Sequence, residues 1–172
     1  MGRDKASLEF EGEPLARRVA AVLSDVADRV LVASGDGSRL EWLGLEQVPD
    51  AVPDAGPLSG IVAGLERAET PLVAVAAVDM PFASPELFRF LARLWSGEDV
   101  VLPVTERGAE PLHAVYAAAA AGALRDVLES GERSVWRAVT SLRSRNVGEE
   151  EWRNADPLAA FARNVNRPED LA

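Results

Sequence analysis

Leu72-Val-Ala-Val-Ala-Ala-Val78 is the most apolar run in this 172-residue chain, and it stops at a carboxylate, Asp79. A run of this kind can be buried on both faces, as only a parallel sheet covered by helices allows, and so it predicts a central strand. The rest of the chain must then supply further strands and the helices that cover them.

It does so in alternation. Pro14 opens a segment in which Leu15, Val19, Val22, Leu23 and Val26 recur at helical spacing, with Arg17, Arg18 and Asp25 on the other face. Strands are predicted at 29–33, 46–48, 99–104 and 111–116, with an edge strand at 145–147. Helices are predicted at 40–43, 59–68, 117–130, 135–142 and 157–163. Ser84-Pro85-Glu86 supplies an N-cap, a proline in the first turn and an acidic residue, marking the start of a helix through Leu87, Leu91 and Leu94. Residues 49–57 and 106–110 read as loops. Alternating strands and helices predict an α/β fold with a mostly parallel sheet flanked by helices, in one domain spanning 1–172.

Composition limits what such a domain can do. There is no cysteine and one histidine, which leaves no thiolate metal site and little room for zinc. A net charge of −10 excludes a broad nucleic-acid surface, so an anionic ligand must be held by a local device: a magnesium ion, a lone cation or a helix N-terminus. No run approaches a membrane span or resembles a signal peptide, and the expected setting is the cytoplasm. Lys5 is the only lysine against 17 arginines, which singles it out, since a compact ammonium suits phosphate oxygens.

Ligands of open α/β sheets bind outside the carboxyl ends of the strands. That rule ranks Asp79 first, as a carboxylate able to hold a hard cation, with a helix-capping or turn aspartate as the other reading. Asp50 and Asp54 follow the strand at 46–48, and either could accept hydrogen bonds from a base or ribose. Gly56 to Gly60 lets the backbone approach a ligand or simply starts a helix. His113 falls inside a strand and is expected to serve as structure or pocket wall.

Five segments then carry a resemblance: Met-Gly-Arg-Asp-Lys-Ala at 1–6, Asp-Ala-Gly-Pro-Leu-Ser-Gly at 54–60, Val-Asp-Met-Pro-Phe at 78–82, Pro-Leu-His-Ala-Val-Tyr at 111–116 and Asn-Val-Asn-Arg-Pro-Glu-Asp-Leu at 164–171. In order and spacing they resemble the molybdenum cofactor guanylyltransferases. The resemblance implies a Rossmann-like nucleotidyltransferase that moves GMP from GTP to the terminal phosphate of molybdopterin and releases pyrophosphate. It further implies that Lys5 contacts the nucleotide phosphates, that Asp79 binds Mg²⁺, and that Asp50 holds the guanosine. Gly56, Pro57 and Leu58 would shape the nucleotide pocket, while Asn164 and Asn166 would lie beside the molybdopterin. A molybdoenzyme chaperone is a further candidate partner.

The sequence also departs from that family. The resemblance places a first, central strand and a glycine-rich loop ahead of Met-Gly-x-Asp-Lys, and here they are missing. The expectation is that the protein starts upstream, and that without this strand residues 29–33 and 72–78 lack the neighbour between them. Ala33-Ser-Gly35 stands where an asparagine is usual, and Arg167 where threonine is common. Two other activities follow from the same gap: a cytidylyltransferase of the same cofactor, or a non-catalytic truncated homologue that binds the cofactor or a partner.

Overall fold

The computed structural model describes residues 5–163. Its strands fall into three hydrogen-bonded groups. β1 (Glu9–Phe10) and β2 (Glu13–Pro14) form a small hairpin. β3 (Leu31–Ala33) and β4 (Glu46–Val48) pair in parallel, Leu31 opposite Glu46. In the largest sheet β5 (Leu72–Ala76) pairs with β8 (His113–Ala117), β8 with β6 (Val100–Thr105), and β6 with both β7 (Gly108–Ala109) and β9 (Ser144–Val147).

Connection length sets direction. The few residues between β6 and β8 permit only antiparallel pairing, whereas the crossover from β8 to β9, which holds two helices, returns the chain parallel to β6. β5, β6 and β9 therefore share one direction and β8 opposes them.

Among the described residues, β3 pairs with β4 alone and β5 with β8 alone. This corrects the reading of the apolar run. The strand ends at Ala76 rather than Val78, and all five of its residues are half-buried. Its edge away from β8 meets no described strand, so backbone and side chains there stay partly open. A cavity of about 320 Å³ lies over the face of β5 and β8 toward residues 85–94, lined by Val26, Leu72, Ala74, Phe88, Arg89 and Val115 among others.

The helices follow the apolar stripes. α1 (Leu15–Ser24) buries Leu15, Ala16 and Val19. α2 (Pro57–Arg67) buries Leu58, Ile61, Val62 and Leu65 against Leu102, Ala114 and Tyr116. α3 (Pro85–Leu94) buries Leu87, Phe88 and Leu91 on the opposite face of the sheet, with Val101, Val115 and Trp152. As the sequence predicts, Ser84 caps α3, its Oγ accepting the Leu87 N–H at 3.2 Å. α4 (Ala121–Glu129) and α5 (Val135–Val139) complete the layer over α2.

Four local readings change. Ala117 closes β8 and a 3₁₀ turn, Ala118–Ala120, precedes α4, so the alanine stretch is not one helix. Gly108–Ala109 pairs within the expected loop. A short helix, α6 (Glu149–Trp152), forms where none is predicted, because Trp152 anchors it in the core. Residues 157–163 hold only the 3₁₀ turn Ala160–Ala162, since Ala159 takes φ 52° and breaks the helical path. No helix among the described residues is long and apolar enough to cross a membrane.

Candidate functional site

The carboxyl ends of β3 and β4 and the start of α2 enclose Asp50. Its N–H donates to the Gly35 carbonyl at 2.8 Å, joining the segments that leave the two strands. The loop beyond it is folded onto α2 by Ser59, whose hydroxyl accepts the Val52 N–H at 2.7 Å and donates to the Val52 carbonyl at 2.8 Å. Gly56 opens the helix at φ 74°, a conformation that favours glycine, and Pro57 follows in the first turn. Leu58 is fully buried, so only its backbone faces the loop.

Asp50 lies over Gly60. A Cβ at position 60 would sit 3.2 Å from the Ala33 Cβ and 3.5 Å from Asp50 Oδ1, so any side chain there would press the helix a few tenths of an ångström away from the strand end. Burial raises the Asp50 carboxyl above its ordinary range; a Gly35 backbone hydrogen bond and the Arg39 charge oppose this, while Asp54 adds to it. Asp54 itself takes φ 56°, the turn geometry that aspartate tolerates.

Asp79 follows β5 in a half-buried turn. That turn is tied down on both sides. Arg18 of α1 donates from Nε to the Pro81 carbonyl at 3.1 Å, and Met80 is buried, with its N–H on the Ala77 carbonyl. The Ser84 N–H donates to His113 Nε2 at 3.0 Å. Phe82 meets Phe10 edge-on at 5.2 Å.

One apolar cluster gathers the ends of these segments. Ala6, Ala16 and Leu40 pack with Val32, Leu43 and Val78. Lys5, Arg39 and Asp79 each adjoin a member of it, so their backbones converge at the carboxyl ends of β3 and β5. Lys5 opens the 3₁₀ turn Lys5–Ser7. Asn164 and Asn166 lie outside the described residues. Arg18, Arg39, Ser59 and Gly60 carry much of this architecture, yet sequence reasoning did not single them out as site residues. Only glycine at 60 gave a signal.

His113 is fully buried and stacks on Phe88, with centroids 3.9 Å apart and planes 8° from parallel. Accepting the Ser84 N–H fixes Nε2 as unprotonated, and Nδ1 has no hydrogen-bond partner among the described residues. Burial pushes its pKa down to about 3 from 6.5. Above pH 6.5 both folded and unfolded chains carry a neutral imidazole; as pH falls from there toward 3, only the unfolded chain takes up the proton, and stability is lost. Between pH 7.5 and pH 4.5 the wild type should therefore lose about 2–3 kcal/mol more stability than His113→Gln, read from urea midpoints at the two pH values. Equal losses would show that His113 is not held neutral.

Helices on both faces of a mixed sheet, with Asp50 and Asp79 following strands and a glycine-opened helix packed by Asp50, define an open α/β domain whose candidate site lies at its strand ends. The family described as the MobA-like NTP transferase domain matches residues 1–147, and this chain belongs to it. A probable molybdenum cofactor guanylyltransferase of Pelotomaculum thermopropionicum is 37% identical over 171 residues, covering 99% of this chain and 83% of that protein. Another from Chloroflexus aggregans is 36% identical over 176 residues, covering 99% and 85%. Among solved structures, molybdopterin-guanine dinucleotide biosynthesis protein A from Archaeoglobus fulgidus matches with TM-score 0.83 and 27% identity over 99% of this chain and 88% of that one. The 2-C-methyl-D-erythritol 4-phosphate cytidylyltransferase of Thermus thermophilus shares the fold, with TM-score 0.68 and 21% identity over 97% and 90%.

Proposed function

We propose that this chain transfers GMP from GTP to the terminal phosphate of molybdenum-molybdopterin, in the cytoplasm. The observation that supports the reading is that Ala6, Leu40 and Val78, the chain neighbours of Lys5, Arg39 and Asp79, pack in one cluster at the carboxyl ends of β3 and β5, in a chain whose relatives bear the guanylyltransferase name. In the reaction a molybdopterin phosphate oxygen attacks the α-phosphorus of GTP. The bond from that phosphorus to the bridging oxygen of the β-phosphate breaks, and pyrophosphate leaves with the electron pair. The attacking group is already an anion and needs no strong base, in keeping with a site whose histidine is buried and neutral.

Asp50, with Gly35 and Arg39 around it, would receive the guanosine, its carboxylate accepting base or ribose N–H and O–H groups. The Gly56–Leu58 turn would bound that pocket, and Lys5 would meet the phosphates. Asn164 and Asn166 would flank the acceptor. Asp79 fits Mg²⁺: it is a half-buried carboxylate at a strand end, and Mg²⁺ is commonly held by one or two carboxylates plus substrate phosphates. The metal would neutralise charge on the phosphates. The chain's own part is to hold the donor in line with the acceptor and to exclude water around them.

Nucleotide choice gives the test. With molybdopterin and Mg²⁺ present, kcat/KM for GTP should exceed that for CTP at least tenfold. A reversed ratio would replace this reading with a cytidylyltransferase, and no turnover with either would point to the binding-only homologue.

A further inference from the structure

Among the described residues Arg163, like Arg17 and Arg93, meets no carboxylate at ion-pair distance, whereas Arg18 pairs with Glu11, Arg107 with Glu110 and Arg143 with Asp99. It is exposed, and its guanidinium carbon lies 4.7 Å from the centroid of the Phe82 ring. Phe82 is three residues beyond Asp79, in the turn that Arg18 fastens through the Pro81 carbonyl.

The position of Arg163 is built. Phe161 is fully buried against His113 and Trp152, and its N–H donates to Asp156 Oδ2 at 3.3 Å. Arg107, from the β6–β7 hairpin, donates to the Ala162 carbonyl. Ala159 bears the left-handed φ of 52°, a conformation uncommon outside glycine and held here by the packing that follows it. A guanidinium laid on an aromatic face keeps its N–H edge free, and that edge matches two oxygens of a phosphate. Asp50 and its partners lie by β3, β4 and α2, whereas Phe82 lies with α1 and Phe10 just past Asp79. Arg163 therefore stands with a different set of elements from those that hold Asp50, and in-line transfer requires separate places for donor and acceptor.

We propose that Arg163, laid across Phe82, binds the terminal phosphate of the acceptor, and that it sets affinity for the acceptor rather than for GTP. This assignment rests on the transferase reading above. Two anionic phosphates must meet here in a protein of net charge −10, and Arg163 offsets part of that repulsion.

The test is acceptor and donor kinetics of Arg163→Ala and Arg163→Lys, with direct molybdopterin titration by fluorescence in the absence of GTP. Arg163→Ala should raise KM for molybdopterin about tenfold or more and leave KM for GTP within about twofold, as loss of one charged hydrogen-bonding group predicts. Arg163→Lys should recover part of the loss by keeping the charge. An unchanged acceptor KM, or equal rises in both KM values, would overturn the assignment while GMP transfer stood. Should the wild type fail to transfer GMP, the transferase reading falls and the titration alone decides. Tenfold weaker molybdopterin binding by Arg163→Ala would support the phosphate site, and equal binding, or none by the wild type, would overturn it.

Discussion

Asp79→Asn is expected to lower kcat for GMP transfer by at least ~100-fold while leaving the melting temperature within about two degrees. The substitution keeps size and shape and removes one negative charge at the carboxyl end of β5. If Asp79 holds the divalent cation against the phosphates, it supports charge neutralisation worth several kcal/mol in the transition state, and each 1.36 kcal/mol is a factor of ten. The half-buried turn is fixed by other groups, namely the Arg18 contact to Pro81, the Ser84 contact to His113 and buried Met80. Asparagine also keeps an acceptor oxygen at the same place, so stability should hardly change. The two readings of this residue separate here: a turn aspartate would lose stability and keep its rate. Near-normal turnover across a range of Mg²⁺ concentrations would remove Asp79 from the site.

Trp152→Ala is expected to be the most damaging of the simple core changes. Trp152 is 1% exposed, meets Phe161 edge-on at 5.1 Å, and donates from Nε1 to the Val104 carbonyl at 2.9 Å. Truncation leaves a cavity at a typical cost of about 3–5 kcal/mol and removes a hydrogen bond to the half-buried Val104 carbonyl, worth about 0.5–1.5 more. Against a domain stability of about 5–15 kcal/mol that is a large share, and the melting temperature should fall by roughly 10 °C or more. Trp152→Phe keeps most of the ring and loses the hydrogen bond, so it should fall between wild type and alanine. If all three melt together, the α6 anchor contributes nothing to the fold.

Much of this architecture is legible in the sequence because it is local. The helical spacing of Leu15, Val19 and Val22 gives α1, and Ser84-Pro85-Glu86 gives the start of α3 to the residue. The apolar run 72–78 marks a strand, Leu72–Ala76, and the candidate carboxylate after it. What the run does not tell is how far it is covered. Half-burial of β5 depends on which strands flank it, and that is a property of the sheet rather than of the run. The antiparallel β8 follows from a short connection whose hairpin signal is weak, with Gly108 and no asparagine-glycine pair. α6 escapes notice because four residues cannot show a period; only Trp152 holds them.

The candidate site divides in the same way. Asp50 and Asp79 stand out as carboxylates after strands, and Gly56 and Gly60 as glycines in a turn. Arg18, Arg39 and Arg163 do not, because nothing local tells one arginine from the sixteen others in this chain. Their roles come from contacts across long stretches of sequence, such as Arg18 with Pro81 and Arg163 with Phe82.

The central claim is best tested by following phosphorus. The chain is incubated with molybdenum-molybdopterin, Mg²⁺ and GTP labelled either at the α- or at the γ-phosphate. The label at α should pass into a product carrying the guanosine monophosphate and the pterin, and the label at γ should leave as pyrophosphate in equal amount. Release of γ-label as inorganic phosphate with none at α transferred, or failure of both labels to move, would contradict guanylyl transfer by this chain.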